Sequence, residues 1–373
     1  MMITKEDNNK LLYKNKEQTL KRNYGIDLLK IISMINVIIL HINNRDFYNL
    51  QKIPKHPKFK QVCLLEILSF WPVNTFGLIS GIIGFKKYKF SNIIYIWFEY
   101  FYYSVFFSIY LFINSLLDLK GLISSMFPLG IKNSWYINAY FFLYILLPFL
   151  TNSINIIDRY IFTKLICLYF FFYSLYNKLI EYNFGKTNFD FANNGYSSIW
   201  LIILFIIGGY IGRFYNKYLF SKLFLFIIFI FSSFITSEHI FYNLDKKNVA
   251  NTILIDYNSP TIIIQALSLT LLFSKVNINN KYIKMAISFF IPLNMCVLII
   301  HMTIFSFKTS NILKFKKYIE QLNPKYLIFK KYAISILIYF LCAFFDYFRS
   351  IIFKITKIRY LSKYIEKKYF KEI

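Results

Sequence analysis

Residues 24–42 read YGIDLLKIISMINVIILHI, an apolar stretch broken by one acid, Asp27, one base, Lys30, and one imidazole, His41. About 20 predominantly apolar helical residues cross the hydrocarbon core of a bilayer. This stretch therefore has the length of a span and carries polar groups that are costly there. The same measure, applied outward, finds nine further stretches: 63–85, 91–117, 133–152, 159–178, 196–215, 219–237, 259–275, 284–306 and 331–353. The chain reads as all-α, a polytopic transmembrane helix bundle of about ten spans. No repeat and no Pro- or Ser-rich linker divides it. The expected organisation is a basic N-tail at 1–22, one integral-membrane domain at 23–353 and a basic C-tail at 354–373.

Composition agrees. Of 373 residues, 57% are hydrophobic and 21% aromatic, while 17% are charged. Soluble domains average about 25% charged and about 45–50% apolar residues. A soluble surface cannot hide this much Phe, Ile, Leu and Tyr, because exposed apolar patches are sticky. Lys and Arg number 44 against 18 acids, a net charge of +26. Such a balance points to nucleic acid or to anionic surfaces. A membrane-embedded chain has little surface for nucleic acid, so the excess is read as no nucleic-acid partner. AT-rich codon usage and attraction of loops and tails to the headgroups of the lipid bilayer account for it instead. Cys63, Cys167, Cys296 and Cys342 are far apart in apolar runs, which supports neither a disulfide framework nor a zinc site. The first 23 residues lack the apolar core of a cleaved signal peptide.

The Lys/Arg excess lies on the side of the two tails, which places both termini in the cytoplasm. On that topology Asp27 and Lys30 stand near the cytoplasmic end of the first span and His41 near its outer end. His301 comes near the outer face. Ser80, Gly81, Asp346 and Arg349 approach the cytoplasm, and Trp135 and Tyr136 open the fourth span outside.

A charged group within a span is a functional-site hypothesis by default. Asp27 and Lys30 are three apart and pair on one helical face. Lys30 and His41 are eleven apart, within roughly 20° of the same face and about 16 Å apart along the axis. Imidazole accepts and returns a proton near neutral pH, which suits a general base acting on a hydroxyl. His301 is a second polar group at the same depth. Two His without nearby carboxylates make a poor metal site, so no metal is expected. His56 and His239 read as loop residues. Blander readings stand beside these: an interfacial His41, a structural Asp27–Lys30 pair, close helix packing at Ser80-Gly81, and an aromatic belt at Trp135 and Tyr136. Glu66 and Glu99 are acids in or near spans with no partner legible. Taken alone, these residues describe a polar transmembrane path and name no reaction.

Seven pieces stand in order along the chain. They are Arg22-Asn-Tyr-Gly-Ile-Asp27-Leu-Leu-Lys30 through His41, Val73-Asn-Thr-Phe76-Gly-Leu-Ile-Ser80-Gly81, and Trp135-Tyr136-Ile-Asn-Ala-Tyr140 with Leu147-Pro148-Phe149. Asn194-Gly195-Tyr196-Ser197 leading to Gly208-Gly-Tyr-Ile211 follows, then Asn258-Ser259-Pro260, Val297-Leu-Ile-Ile-His301 and Asp346-Tyr-Phe-Arg349. Together they resemble the acyltransferase 3 family of integral-membrane bacterial O-acyltransferases. The resemblance makes His41 the leading catalytic residue, with His301 beside it. Lys30 stands where the family has Arg in an Arg, ten residues, His pattern; it keeps the charge and loses the bidentate fork. Asn294-Met-Cys296 and Ile300 also depart from the Gly and Tyr that often precede the second His. The resemblance implies acyl-CoA, usually acetyl-CoA, as a cytoplasmic co-substrate with no bound cofactor, and an extracytoplasmic glycan or glycolipid as acceptor. Lys30, Asp27, Ser80, Gly81 and Arg349 are the expected donor-binding residues, and Trp135 and Tyr136 the acceptor-binding ones. The implied location is the bacterial cytoplasmic (inner) membrane, and the chain is expected to be a stand-alone member without a hydrolase-like domain. Two other readings stay open: a glycolipid or oligosaccharide transporter or flippase using the same stripe, and an inactive relative serving as a scaffold.

Overall fold

The Asn23 side chain starts the first helix. Its Oδ1 accepts from the amides of Gly25 and Ile26, while Nδ2 donates to the Ser274 carbonyl at 2.8 Å. Two of the four amides that a helix start leaves unpartnered are thereby satisfied. A computed structural model describes residues 22–84, 89–129, 135–185, 193–215, 219–247, 251–306 and 310–370. The expected N-tail, Arg22 apart, lies outside the described residues.

Helix α1 (Tyr24–Leu50) is 27 residues long, about 40 Å at 1.5 Å per residue. Helices α2 (Phe59–Ser69) and α3 (Pro72–Gly84) make one span, broken at Phe70 and Trp71 because Pro72 has no amide to continue the ladder. Next come α4 (Phe90–Ile113), the short α5 (Leu119–Ser124) and α6 (Trp135–Ile156). Helices α7 (Arg159–Phe170) and α8 (Asn177–Phe184) flank a π-helical segment, Phe171–Tyr176. Then follow α9 (Ser198–Phe214), α10 (Lys222–Lys247) and α11 (Pro260–Ser274). Helix α12 (Lys281–Phe290) passes through a 3-10 turn at Pro292 into α13 (Asn294–Ser306). The last are α14 (Ser310–Glu320), α15 (Leu327–Ile355) and α16 (Ile358–Tyr369).

Each of the ten stretches expected to span overlaps a helix, and no strand occurs among the described residues. Among the described residues, seven spans are long and apolar enough to cross a membrane, and α9 and α11 are shorter apolar helices. The chain is an all-α, multi-pass membrane protein. Many large apolar side chains face outward, such as Phe231 and Phe234 on α10 and Leu341, Phe344 and Phe348 on α15, while Ser232, Ser233, Thr236 and Ser335 are buried. Lipid solvates the outer face, so polar groups gather inside where partners exist. His239, expected in a loop, stands within α10, because the helix runs on to Lys247.

Helix α1 is the hub, packed against α2, α3, α11, α13 and α15. Helix α9 lies between α3 and α6, and there the glycines matter. A Cβ on Gly81 would come 2.1 Å from the Phe205 carbonyl oxygen, and one on Gly208 would come 2.2 Å from that of Leu78. The two backbones touch where small residues face each other. Gly81→Ala is expected to push α3 off α9, at about 1–3 kcal/mol. Thermal unfolding of detergent-solubilised protein measures this as a lowered midpoint; an unchanged midpoint would mean that the seam yields freely.

Candidate active site

The break between α2 and α3 opens a cavity of about 220 Å³ beside α1. His41 and Asn44 reach it from α1, Glu66 from α2, Val73 and Phe76 from α3, Leu298 and Met302 from α13. Trp135 and Tyr136 come from the start of α6, and Phe70, Tyr196 and Tyr257 from the connecting segments. Irregular backbone at membrane depth is tolerated where it lines such a cavity, since freed polar groups find partners there.

His41 is exposed on the cavity wall. His301 lies behind it, 1% exposed, with ring centroids 5.2 Å apart and planes at 78°. The His301 Nδ1 sits 2.6 Å from the Val297 carbonyl oxygen. A carbonyl only accepts, so Nδ1 carries the proton. Nε2 then carries the lone pair, and it is buried without a hydrogen-bond partner. An imidazole locked in one tautomer thus packs edge to face with the one that lines the cavity. No three potential metal ligands come together among the described residues.

The opposite wall is aromatic. Tyr257 lies 4.6 Å from Phe70, 4.7 Å from Tyr196 and 5.8 Å from Trp135, between ring centroids. Burial pushes the Tyr196 and Tyr257 phenols above their usual range, with the Asp256 and Glu66 carboxyls adding to it at both, so both stay protonated. The wall is held from behind. Asn74 donates to the Tyr257 carbonyl at 2.7 Å and accepts from Trp200 Nε1 at 3.0 Å. Lys178, 5% exposed, donates to Asp256 at 2.6 Å and to Asn194 at 3.2 Å, so one cation pins both segments that deliver tyrosines.

The other expected residues lie elsewhere. Asp27 stands between Arg22 at 2.6 Å and Lys30 at 3.4 Å, a cluster with one positive charge in excess at the start of α1. Sequence reading paired Asp27 with Lys30 and missed Arg22, which the chain brings back from outside the helix. Gly81 is filled by the α9 backbone, and neither it nor Ser80 lines the cavity. Arg349 is 2% exposed and every guanidinium nitrogen is engaged. Nε and Nη2 donate to Asp346, each at 2.8 Å, and Nη1 reaches Glu99 at 2.9 Å and the Tyr95 hydroxyl at 3.1 Å. The structure therefore joins His41, His301, Trp135 and Tyr136 in one place and leaves Lys30, Asp27, Ser80, Gly81 and Arg349 outside it.

The family model described as an acyltransferase domain, that of the acyltransferase 3 family, matches residues 23–345. The chain belongs to that family, and it is a membrane acyltransferase. No curated protein and no solved structure matches it at a significant level. The match includes the whole cavity wall and ends one residue before Asp346.

Phe70, Tyr196, Tyr257 and Glu66 escaped assignment to a site from sequence. Tyr196 and the residue after Tyr257 belong to motifs already singled out, which is the signal that existed. The Arg349 network predicts its own test. Arg349→Leu leaves two buried carboxylates without a cation, at about 3–5 kcal/mol, and folded yield in detergent is expected to collapse. Adding Asp346→Asn and Glu99→Gln is expected to restore part of it, measured by size-exclusion recovery.

Proposed function

We propose that the protein is an O-acetyltransferase of the bacterial cytoplasmic membrane. It moves an acetyl group from cytoplasmic acetyl-CoA to a hydroxyl of a cell-surface polysaccharide, lipid-linked oligosaccharide or glycolipid, with both chain termini cytoplasmic. The observation that carries this reading is His41 on a cavity wall opposite aromatic rings, backed by an imidazole of fixed tautomer. Aromatic faces and neutral phenols suit a sugar, whose C–H faces stack while its hydroxyls hydrogen-bond.

His41 takes the proton of the acceptor hydroxyl as its oxygen bonds to the thioester carbonyl carbon. The carbon–sulfur bond then breaks, and the leaving thiolate receives the proton from His41. His301 keeps its Nδ1 proton on Val297 throughout and fixes the plane against which His41 packs. Arg22 and Lys30 hold an anionic part of the donor at the other end of the stripe, about 16 Å along α1. Lys acts there as a point charge where a guanidinium would grip two oxygens.

Membrane vesicles carrying the protein, given labelled acetyl-CoA, are expected to place label in the glycan or glycolipid fraction. His41→Ala is expected to reduce transfer about 10²-fold or more, the contribution of a positioned general base. Transfer that persists unchanged in this variant removes His41 from the chemistry, and glycan translocation without label transfer points to a transporter. Lys30→Arg is expected to preserve or raise transfer; a fall would show a donor site shaped around Lys.

A further inference from the structure

Glu66 is the cavity residue that the acyl-transfer scheme does not use. It is 5% exposed and lines the same cavity as His41. Its Oε2 accepts from Asn43 Nδ2 at 2.6 Å, and Asn43 Oδ1 accepts from Lys331 Nζ at 2.8 Å. Lys331, fully buried, is also paired with Asp46 at 2.5 Å. That pair already matches the lysine's charge, so neutrality at Lys331 is complete without Glu66. Glu66 is thus a second buried carboxyl, joined to the pair through the Asn43 amide, and a buried carboxyl oxygen is costly unless something hydrogen-bonds to it. Oε1 has no hydrogen bond among the described residues, and it is not among the sealed-off unpartnered atoms, so it keeps surface open to the cavity. No Lys or Arg lines that cavity, and the other polar groups around it are imidazole, amide, indole and phenols.

We propose that Glu66 is an acceptor-binding residue: its free oxygen takes a hydrogen bond from an acceptor hydroxyl other than the one that is acylated. This rests on the O-acetyltransferase reading. It adds a demand on the acceptor, which must be uncharged and carry at least two hydroxyls where it enters the cavity. One hydroxyl goes to His41 and one to Glu66, so the carboxylate sets which hydroxyl meets the imidazole. An anionic group at that position is excluded by repulsion from the carboxylate, with no cation at hand to offset it.

The test uses Glu66→Gln in the full chain, in vesicles with labelled acetyl-CoA and the glycolipid fraction extracted from the producing cells as acceptor. Gln keeps an oxygen for Asn43 and turns the cavity-facing atom into a donor. The expected result is an acceptor KM raised about 10-fold or more, the worth of a hydrogen bond to a charged group. The acetyl-CoA KM and the thermal midpoint should stay put and kcat should move much less, the pattern of lost uniform binding. An unmoved acceptor KM overturns the proposal. So does a fall in kcat alone, which would put Glu66 on the reacting atoms, and so does a lowered midpoint with all parameters damaged. If Glu66→Gln does not accumulate, Glu66→Asp gives the same reading, since it keeps the charge and withdraws it by one methylene. Wild-type vesicles that transfer no label at all refute the transferase reading itself, a result distinct from every outcome for the Glu66 variants.

Discussion

A charge taken into an apolar helix bundle has to be matched there, because neither lipid nor packed side chains replace the water it gives up. This constraint arranges the protein. Asp27 lies between Arg22 and Lys30, Asp46 against Lys331, Asp346 and Glu99 around Arg349, and Asp256 against Lys178. All but the first of these join segments distant in sequence, so matching charge also fixes which helices meet. The Lys331 cluster ties α15 to α1, and the Arg349 cluster ties α15 to α4. Against that background of paired groups, uncommitted polar atoms stand out. The His301 Nε2, behind His41, and the cavity-facing oxygen of Glu66 are such atoms, and both belong to side chains at the cavity that His41 lines.

The cavity itself comes from an interruption. Pro72 stops the ladder after Trp71, and Phe70, Val73 and Phe76, on either side of the break, line the cavity. The loops opposite are held to matching precision by Asn74 and Lys178, which bind backbone and side-chain oxygens next to Tyr257 and Tyr196. An aromatic wall on connecting segments would otherwise have little to hold its rings in place. The glycine seam between α3 and α9 supports the same wall from below, since α9 carries the Trp200 that holds Asn74.

Fold class was legible from the chain because crossing a bilayer imposes a length and an apolar character on each helix. The link between Lys30 and His41 was legible too, since both lie on one uninterrupted helix and its pitch sets their relation. Legibility failed where partners come from other elements. Arg22 precedes the helix it serves, and Glu66 gained meaning only once Asn43 and Lys331, far along the chain, were seen beside it. His239 was misplaced because polar residues after 237 read as a loop, whereas the helix simply carries them onward to Lys247.

By itself, then, the sequence determined a multi-pass helical membrane protein, its central polar helix and the imidazole on it, because those follow from local periodicity and from the cost of charge in hydrocarbon. Only tertiary structure decided that Trp135, Tyr136, Tyr196, Tyr257 and Glu66 share one cavity with His41, that His301 packs behind that imidazole, and that Arg349 spends its guanidinium on Asp346 and Glu99. The physical reason is that helical periodicity relates residues along one axis. Which faces of different helices meet depends on which charges find partners and where small residues let backbones touch.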